Sequence, residues 1–106
     1  MMVPLRFDRW APRKVTVCAL LDIDRTDVEA MGGVIESVFE EHAEVSVAVF
    51  SLDSGRLVSL VQISGDSAPG FTLLLDGDGS SVEVLHEFLA EARMGASAVI
   101  SVNSGD

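Results

Sequence analysis

The chain has 106 residues, a length that suits one domain with a single core. Hydrophobic residues make up 48% and charged residues 23%, a composition that excludes an intrinsically disordered chain. The formal net charge is −10. Because neutralising phosphates requires clustered cations, this charge argues against direct binding of nucleic acid.

The charge is unevenly distributed along the chain. Within the first 14 residues the charged side chains are Arg6, Asp8, Arg9, Arg13 and Lys14. This segment carries +3, and the rest of the chain, with 3 basic and 16 acidic residues, carries −13. We therefore predict a basic N-terminal arm at 1–13, one acidic domain at 14–103 and a frayed end at 104–106.

Targeting signals are not apparent in the sequence. The arm lacks the sustained apolar segment of a secretory signal, and no apolar run reaches the roughly 20 residues that span a bilayer. The chain has one cysteine, Cys18, so it cannot form an internal disulfide. We expect a protein of the reducing cytoplasm that does not act at a membrane.

The first half of the chain predicts a strand followed by a long helix. Lys14–Leu21 is β-branched and apolar on both alternating faces, as a central strand requires. Thr26–Ala43 places apolar side chains at helical spacing, and Thr26 with Glu29 matches a capping box. Two consecutive glycines interrupt that helix, at a cost of about 1 kcal/mol each relative to alanine. They indicate close packing against a sheet or a partner.

The second half predicts three strands, a helix and a final strand. Val45–Leu52 and Arg56–Ile63 alternate around turn residues and form a hairpin, and Phe71–Leu75 is a short buried strand after a loop. Ser80 and Glu83 begin a second amphipathic helix that ends near Gly95. The last predicted strand is Ser97–Val102.

The order β-α-β-β-β-α-β predicts an α+β fold, with a further N-terminal strand around Val3–Phe7 as a variant. Each amphipathic helix buries one face, so both should pack on one face of a mainly antiparallel sheet, as in ferredoxin-like domains. The strands are apolar on both faces, and a chain this short offers no third layer. We therefore expect a homodimer or a protein partner to cover the second sheet face.

A run of acidic residues follows the first predicted strand. The sequence Asp22-Ile-Asp24-Arg-Thr26 resembles motif I of the haloacid-dehalogenase-like phosphatases. The resemblance implies a minimal Mg-dependent enzyme in which Asp22 is the nucleophile, Asp24 the acid/base and Asp78 a further metal ligand. Aspartate and threonine also favour strand ends and helix caps, so capping is the alternative role of these residues.

The same region resembles the ACT domains, small ferredoxin-like regulatory modules that bind amino acids. The resemblance covers about the first half of the chain, with Asp24-Arg25-Thr26-Asp27 at the turn into the helix. It implies an amino-acid ligand in contact with Asp24, Thr26 and Asp27. The crowded carboxylates at this turn would repel a ligand carboxylate.

The remaining reactive side chains do not form a recognisable site. His42 lies on the apolar side of the predicted first helix and His86 lies within the second, without the spacing of metal ligands. Cys18 in mid-strand is typical of a small core residue. We predict no metal and no cofactor.

The acidic side chains instead suggest a recognition surface. Those on the predicted first helix and at its start are Asp24, Asp27, Glu29, Glu36, Glu40, Glu41 and Glu44. We predict a non-enzymatic binding or regulatory protein, of the inhibitor, immunity or counter-defence type, that recognises a basic protein partner. Trp10 of the arm would serve as an anchor.

Overall fold

The computed structural model, which describes residues 2–40, 42–63 and 70–103, consists of a seven-stranded antiparallel sheet and two α-helices. In chain order the elements are β1 (Val3–Leu5), β2 (Val15–Leu21), α1 (Arg25–Ala30), β3 (Glu36–Glu40), β4 (Ala43–Ser51), β5 (Leu57–Ile63), β6 (Phe71–Asp76), α2 (Ser81–Ala92) and β7 (Val99–Val102). The predicted α+β class with a mainly antiparallel sheet is confirmed.

The sheet has seven strands, so the predicted ferredoxin-like topology is not confirmed in detail. The strands lie in the order β1-β4-β5-β6-β2-β7, and β3 pairs with the first half of β4 on the edge that β1 occupies further along. Since β6 and β7 are both antiparallel to β2, they run parallel to each other with β2 between them. α2 connects them, so β6, α2 and β7 form a split β-α-β unit around the first long strand.

The long helix predicted over Thr26–Ala43 is replaced by two elements. α1 ends at Ala30, and β3 pairs with β4 in register, with Glu36 opposite Val47. The apolar spacing of this segment fits a helix, but pairing with β4 supplies its backbone with inter-strand partners. The structure therefore has a strand hairpin in place of the second half of the predicted helix.

The glycine pair explains where α1 ends. Gly32 has φ +85°, a left-handed conformation that favours glycine and stops a helix. Gly33 packs directly on the core, because a Cβ atom there would lie 2.8 Å from Phe50 Cζ and 2.9 Å from the Val28 carbonyl oxygen. Close packing of the glycines was predicted, but as a contact within a helix rather than after its end.

The capping box of α1 begins two residues earlier than predicted. Asp24 Oδ1 accepts a hydrogen bond from the Asp27 amide at 2.9 Å, and Asp27 Oδ2 accepts one from the Asp24 amide at 3.0 Å. Asp24 is therefore the N-cap residue, and Thr26 lies inside the helix. The carboxylates of Asp24 and Asp27 therefore form the capping box that was predicted for Thr26 and Glu29.

The ends of α2 are partly as predicted. Ser80 is the N-cap, and its hydroxyl oxygen accepts a hydrogen bond from the Glu83 amide at 3.3 Å. At the other end Arg93, with φ 59°, takes the left-handed position that was assigned to Gly95. α2 is therefore shorter at its C-terminal end than the glycine signal indicated.

Both helices pack on one face of the sheet. α2 contributes four buried side chains, among them Phe88, and α1 contributes Val28. The rings of Phe50 on β4 and Phe88 meet edge to face, with centroids 6.5 Å apart. Cys18 is fully buried in the same core, and burial raises the pKa of its thiol above the usual value. Cys18 is thus a core residue, as predicted.

The N-terminal arm covers the centre of the other sheet face. Residues of β1 pair with the end of β4, and a 3₁₀ turn at Phe7–Arg9 then carries the chain across β4 towards Trp10. Beneath it Val47 and Val49 are only 4% and 0% exposed. The cover that was expected from a second protein therefore comes in part from the chain itself.

Several apolar side chains at the margin of this face stay exposed. They are Val3, Val15, Val17 and Ile63. None of the helices in the described ranges is long and apolar enough to cross a membrane.

Substitution of Gly33 by alanine tests the break after α1. In the observed fold the new methyl group collides with Phe50 and the backbone of Val28. We therefore expect the free energy of unfolding to fall by about 1–3 kcal/mol. Thermal unfolding followed by circular dichroism should show a Tm lower by roughly 4–8 °C per kcal/mol.

Gly95→Ala is the matched control, because the nearest atom to its Cβ would be Ser97 Oγ at 3.9 Å. Its Tm should change little. A continuous helix over residues 26–43 would instead gain about 1 kcal/mol from Gly33→Ala. A raised Tm would therefore contradict the observed fold.

Candidate functional site

The acidic residues that follow β2 lie around the start of α1. Asp22, Asp24 and Asp27 are all exposed. The Asp22 amide donates a hydrogen bond to the Ala98 carbonyl at 2.7 Å, which joins this loop to the segment before β7. The three carboxylates therefore lie on the side of the molecule where the segment after α2 approaches α1.

A groove of about 370 Å³ lies between α1 and the end of α2. Its apolar lining includes Met2, Met31 and Met94, three of the four methionines in the chain. Met2 is buried and the other two are half-buried. Because thioether side chains are flexible and polarisable, a surface of this kind adapts to apolar groups of different shapes.

A second hollow of about 260 Å³ adjoins the first and shares Asp27 and Met94 with it. We call the combined surface the methionine groove, defined by Met2, Met31 and Met94 with Asp22, Asp27 and Glu91 at its rim. Arg93 is the one basic residue among those that line it. The groove therefore combines an apolar floor with an excess of negative charge.

The Glu91 carboxylate at the rim is held by a turn. Both of its oxygens accept hydrogen bonds from the Asp53 amide, at 3.0 and 3.1 Å. One turn earlier in α2, Glu87 accepts hydrogen bonds from the Ser54 amide and hydroxyl and from Arg56. The two glutamates thus connect α2 to the β4–β5 turn.

The pKa values of these two glutamates move in opposite directions. Desolvation by burial raises the pKa of Glu91 above its usual value, and the neighbouring Glu87 raises it further. Desolvation also raises the pKa of Glu87, but hydrogen bonds from Ser54 and the charge of Arg56 outweigh it, and the net shift is downward. Glu91 therefore keeps its proton to a higher pH than an isolated carboxyl group.

The other predicted acidic residues do not line the groove. Glu29 is exposed on α1, and Glu44 is exposed on β4. Glu41 and the side chain of Glu40 lie outside the described residues. Because α1 ends at Ala30, the predicted acidic face along one long helix does not exist.

Glu36 and Trp10 make contacts within the chain on the helix-free sheet face. The Glu36 carboxylate accepts a hydrogen bond from the Phe7 amide at 2.5 Å and lies 4.0 Å from the Arg6 guanidinium. Trp10 is half-buried, and its amide donates to the Phe7 carbonyl at 2.8 Å. Glu36 therefore holds the arm in place, and Trp10 is packed on its own chain.

The structure separates Asp78 from Asp22 and Asp24, the other two carboxylates of the alternative phosphatase site. Asp22 follows the end of β2, whereas Asp78 follows β6, whose last residue lies opposite the first residue of β2. Six strand steps at about 3.3 Å separate these ends by roughly 20 Å. Asp78 also pairs with Lys14 Nζ at 2.7 Å.

The histidines are likewise apart from any cluster. His42 lies in the turn between β3 and β4 with φ 70°, not on a helix as predicted, and His86 is exposed on α2. Across the described ranges, no group of three His, Cys, Asp or Glu side chains is placed to hold a metal ion.

The methionine groove was not predicted, because its residues are far apart in sequence. Met31 follows the last residue of α1, and Met94 follows Arg93 at the end of α2. A methionine within two residues of each helix end was the one local signal for a surface between the two ends.

Comparisons with known proteins found no match to this chain. No protein-family model matches it, and searches of curated proteins and of solved structures found no significant match.

Substitution of Glu91 by glutamine tests the carboxylate pair on α2. The neutral amide removes the like-charge contact with Glu87 and keeps an acceptor for the Asp53 amide. We expect the free energy of unfolding at pH 7 to rise by about 0.2–0.5 kcal/mol, the usual effect of removing a like-charged pair one helical turn apart. Thermal unfolding over a pH series measures it.

The pH dependence sets the sign of this effect. A carboxyl with a raised pKa stabilises the fold when protonated and loses that contribution as the pH rises. The advantage of Glu91→Gln should therefore disappear as the pH falls below the usual value of 4.5. Glu44→Gln, the same change at an exposed position near the start of β4, should show little effect. A loss of stability in Glu91→Gln at pH 7 would contradict the arrangement.

Proposed function

We propose that this protein is a non-enzymatic recognition module whose methionine groove binds a basic amphipathic segment of another protein. The observation that carries the proposal is the apolar floor of Met2, Met31 and Met94 between two helix ends, directly beside acidic side chains. An apolar side chain of the partner would enter the groove, and flanking lysines or arginines would face the rim.

The two parts of the groove have different physical roles. Burial of apolar side chains against the methionines supplies most of the affinity, at about 25 cal/mol per Å² removed from water. Charge pairs at an exposed rim add little affinity, but they orient the partner and exclude acidic competitors. The −13 carried by the chain after residue 14 extends the field that steers a basic partner towards this side.

The arrangement favours a protein segment over an amino-acid ligand. Asp24 and Asp27 accept hydrogen bonds from each other's amides, so neither of these amide groups is available to a ligand carboxylate. A ligand carboxylate would also meet Asp22 and Asp27. The negative rim therefore selects a cationic group.

Removing the rim charges should weaken binding of a basic peptide. The probe is a synthetic peptide of lysine and leucine with the leucines at helical spacing, titrated calorimetrically into the full chain. We expect Asp22→Asn combined with Asp27→Asn to raise Kd about three- to tenfold, because two exposed charge pairs are lost. Asparagine at 27 retains an acceptor for the Asp24 amide.

A matched double variant separates the groove from net charge. Asp78→Asn with Glu83→Gln removes the same charge at the other end of α2 and should change Kd little. Raising the salt concentration should weaken binding of the lysine peptide, since exposed pairs are screened. Equal effects of the two double variants, or equal affinity for a peptide with glutamate in place of lysine, would overturn the proposal.

A further inference from the structure

A separate apolar cavity lies between the arm and the helix-free sheet face. Its volume is about 160 Å³, with Phe7 and Trp10 on the arm side and Val47, Val61 and Leu74 on the sheet side. No charged side chain is among the described residues that line it. The cavity lies away from the methionine groove, on the opposite face of the sheet.

The size of the cavity indicates the class of molecule that fits. An apolar cavity of about 150 Å³ in a protein interior stays free of water and takes up benzene. The cavity under the arm has nearly this volume and two aromatic rings in its lining, but it is partly open to solvent, since Phe7 and Trp10 are only half-buried. The described residues that line the cavity carry no charge, which disfavours an ionic ligand, because the charge of such a ligand would have no partner there.

A buried hydroxyl group adds a polar feature beside the cavity. Ser59 is fully buried, and its hydroxyl has no hydrogen-bond partner among the described residues. Ser59 is not itself among the lining residues, but it pairs with Leu74 and lies two residues before Val61, both of which line the cavity, so its side chain is on the same sheet face. Leaving a buried hydroxyl unpaired is costly, and a ligand hydroxyl would satisfy it.

The arm lies over the cavity as a cover that the pairing of β1 with β4 and the contact with Glu36 hold in place. The Phe7 amide bonds to the Glu36 carboxylate, and the 3₁₀ turn that follows holds the two arm rings over the sheet. A single turn rather than a continuous strand lies over this part of the sheet, and it leaves the cavity partly open to solvent.

We propose that this cavity binds a small neutral molecule with a single aromatic ring and a hydroxyl group. The ring would lie between Trp10 and the sheet valines, and the hydroxyl would hydrogen-bond to Ser59. This inference is independent of the recognition function of the methionine groove.

Trp10, the only tryptophan in the chain, is a direct reporter of this site. Phenol and benzene are the probes, titrated into the full chain while tryptophan emission is recorded with red-edge excitation. We expect a saturable change with both molecules. Ser59→Ala should weaken phenol binding about three- to tenfold and leave benzene binding unchanged, because it removes one hydrogen bond.

A pair of valine substitutions locates the binding site. Val38 lines the cavity from the edge strand β3, so Val38→Phe should fill the space and weaken both probes at least tenfold. Val34→Phe is the same change at a side chain that is 48% exposed and outside the lining, and it should bind like the unmodified chain. Far-UV circular dichroism confirms that each variant is folded.

Other results would overturn the proposal. The absence of a saturable change in Trp10 emission would show that the cavity takes up neither probe. Equal loss in both valine variants would place binding elsewhere. Equal loss of phenol and benzene in Ser59→Ala would remove the role of the hydroxyl. A Trp10 spectrum that shifts with protein concentration alone would show that a second copy occupies the face.

Discussion

The fold depends on a sheet whose central strands are apolar on both faces. β4 shows this most clearly, since Ala48 and Phe50 face the helices while Val47 and Val49 face the arm, and all four are buried. Exposing apolar surface to water costs about 25 cal/mol per Å², so both faces of the sheet need a cover. The helices cover one side and the N-terminal arm covers the centre of the other. The methionine groove lies between the ends of the two helices, and the apolar cavity lies between the arm and the sheet.

The acidic character of the chain is divided between structural and exposed carboxylates. Asp24 and Asp27 cap α1, Glu36 holds the arm, and Glu87 holds the β4–β5 turn against α2. Each of these carboxylates accepts a hydrogen bond from a backbone amide, which explains the acidic residue at that position without a second protein. The count of acidic residues is therefore a poor guide to a binding site. The methionine groove is distinguished by the combination of charge with an adaptable apolar floor.

Local signals that agreed with one another predicted their elements well. The β4–β5 hairpin follows from alternation on both sides of a turn, and α2 follows from Ser80 with an amphipathic pattern behind it. The segment after Ala30 was mispredicted because its apolar residues satisfy helical spacing, while the partner that makes it a strand is β4. A strand of five residues gains its hydrogen bonds from another part of the chain, which periodicity within the segment does not reveal.

Composition and local patterns were sufficient to predict the α+β class, the four long strands, α2, the burial of Cys18 and the asymmetry between a basic arm and an acidic body. These properties depend on composition and on patterns within about ten residues. Three further features became apparent from the folded chain: Gly33 packs on Phe50, the arm crosses the sheet, and three methionines meet beside Asp22 and Asp27. Each of these contacts joins residues far apart in the chain, and close packing selects among them through shape, which a linear pattern does not carry.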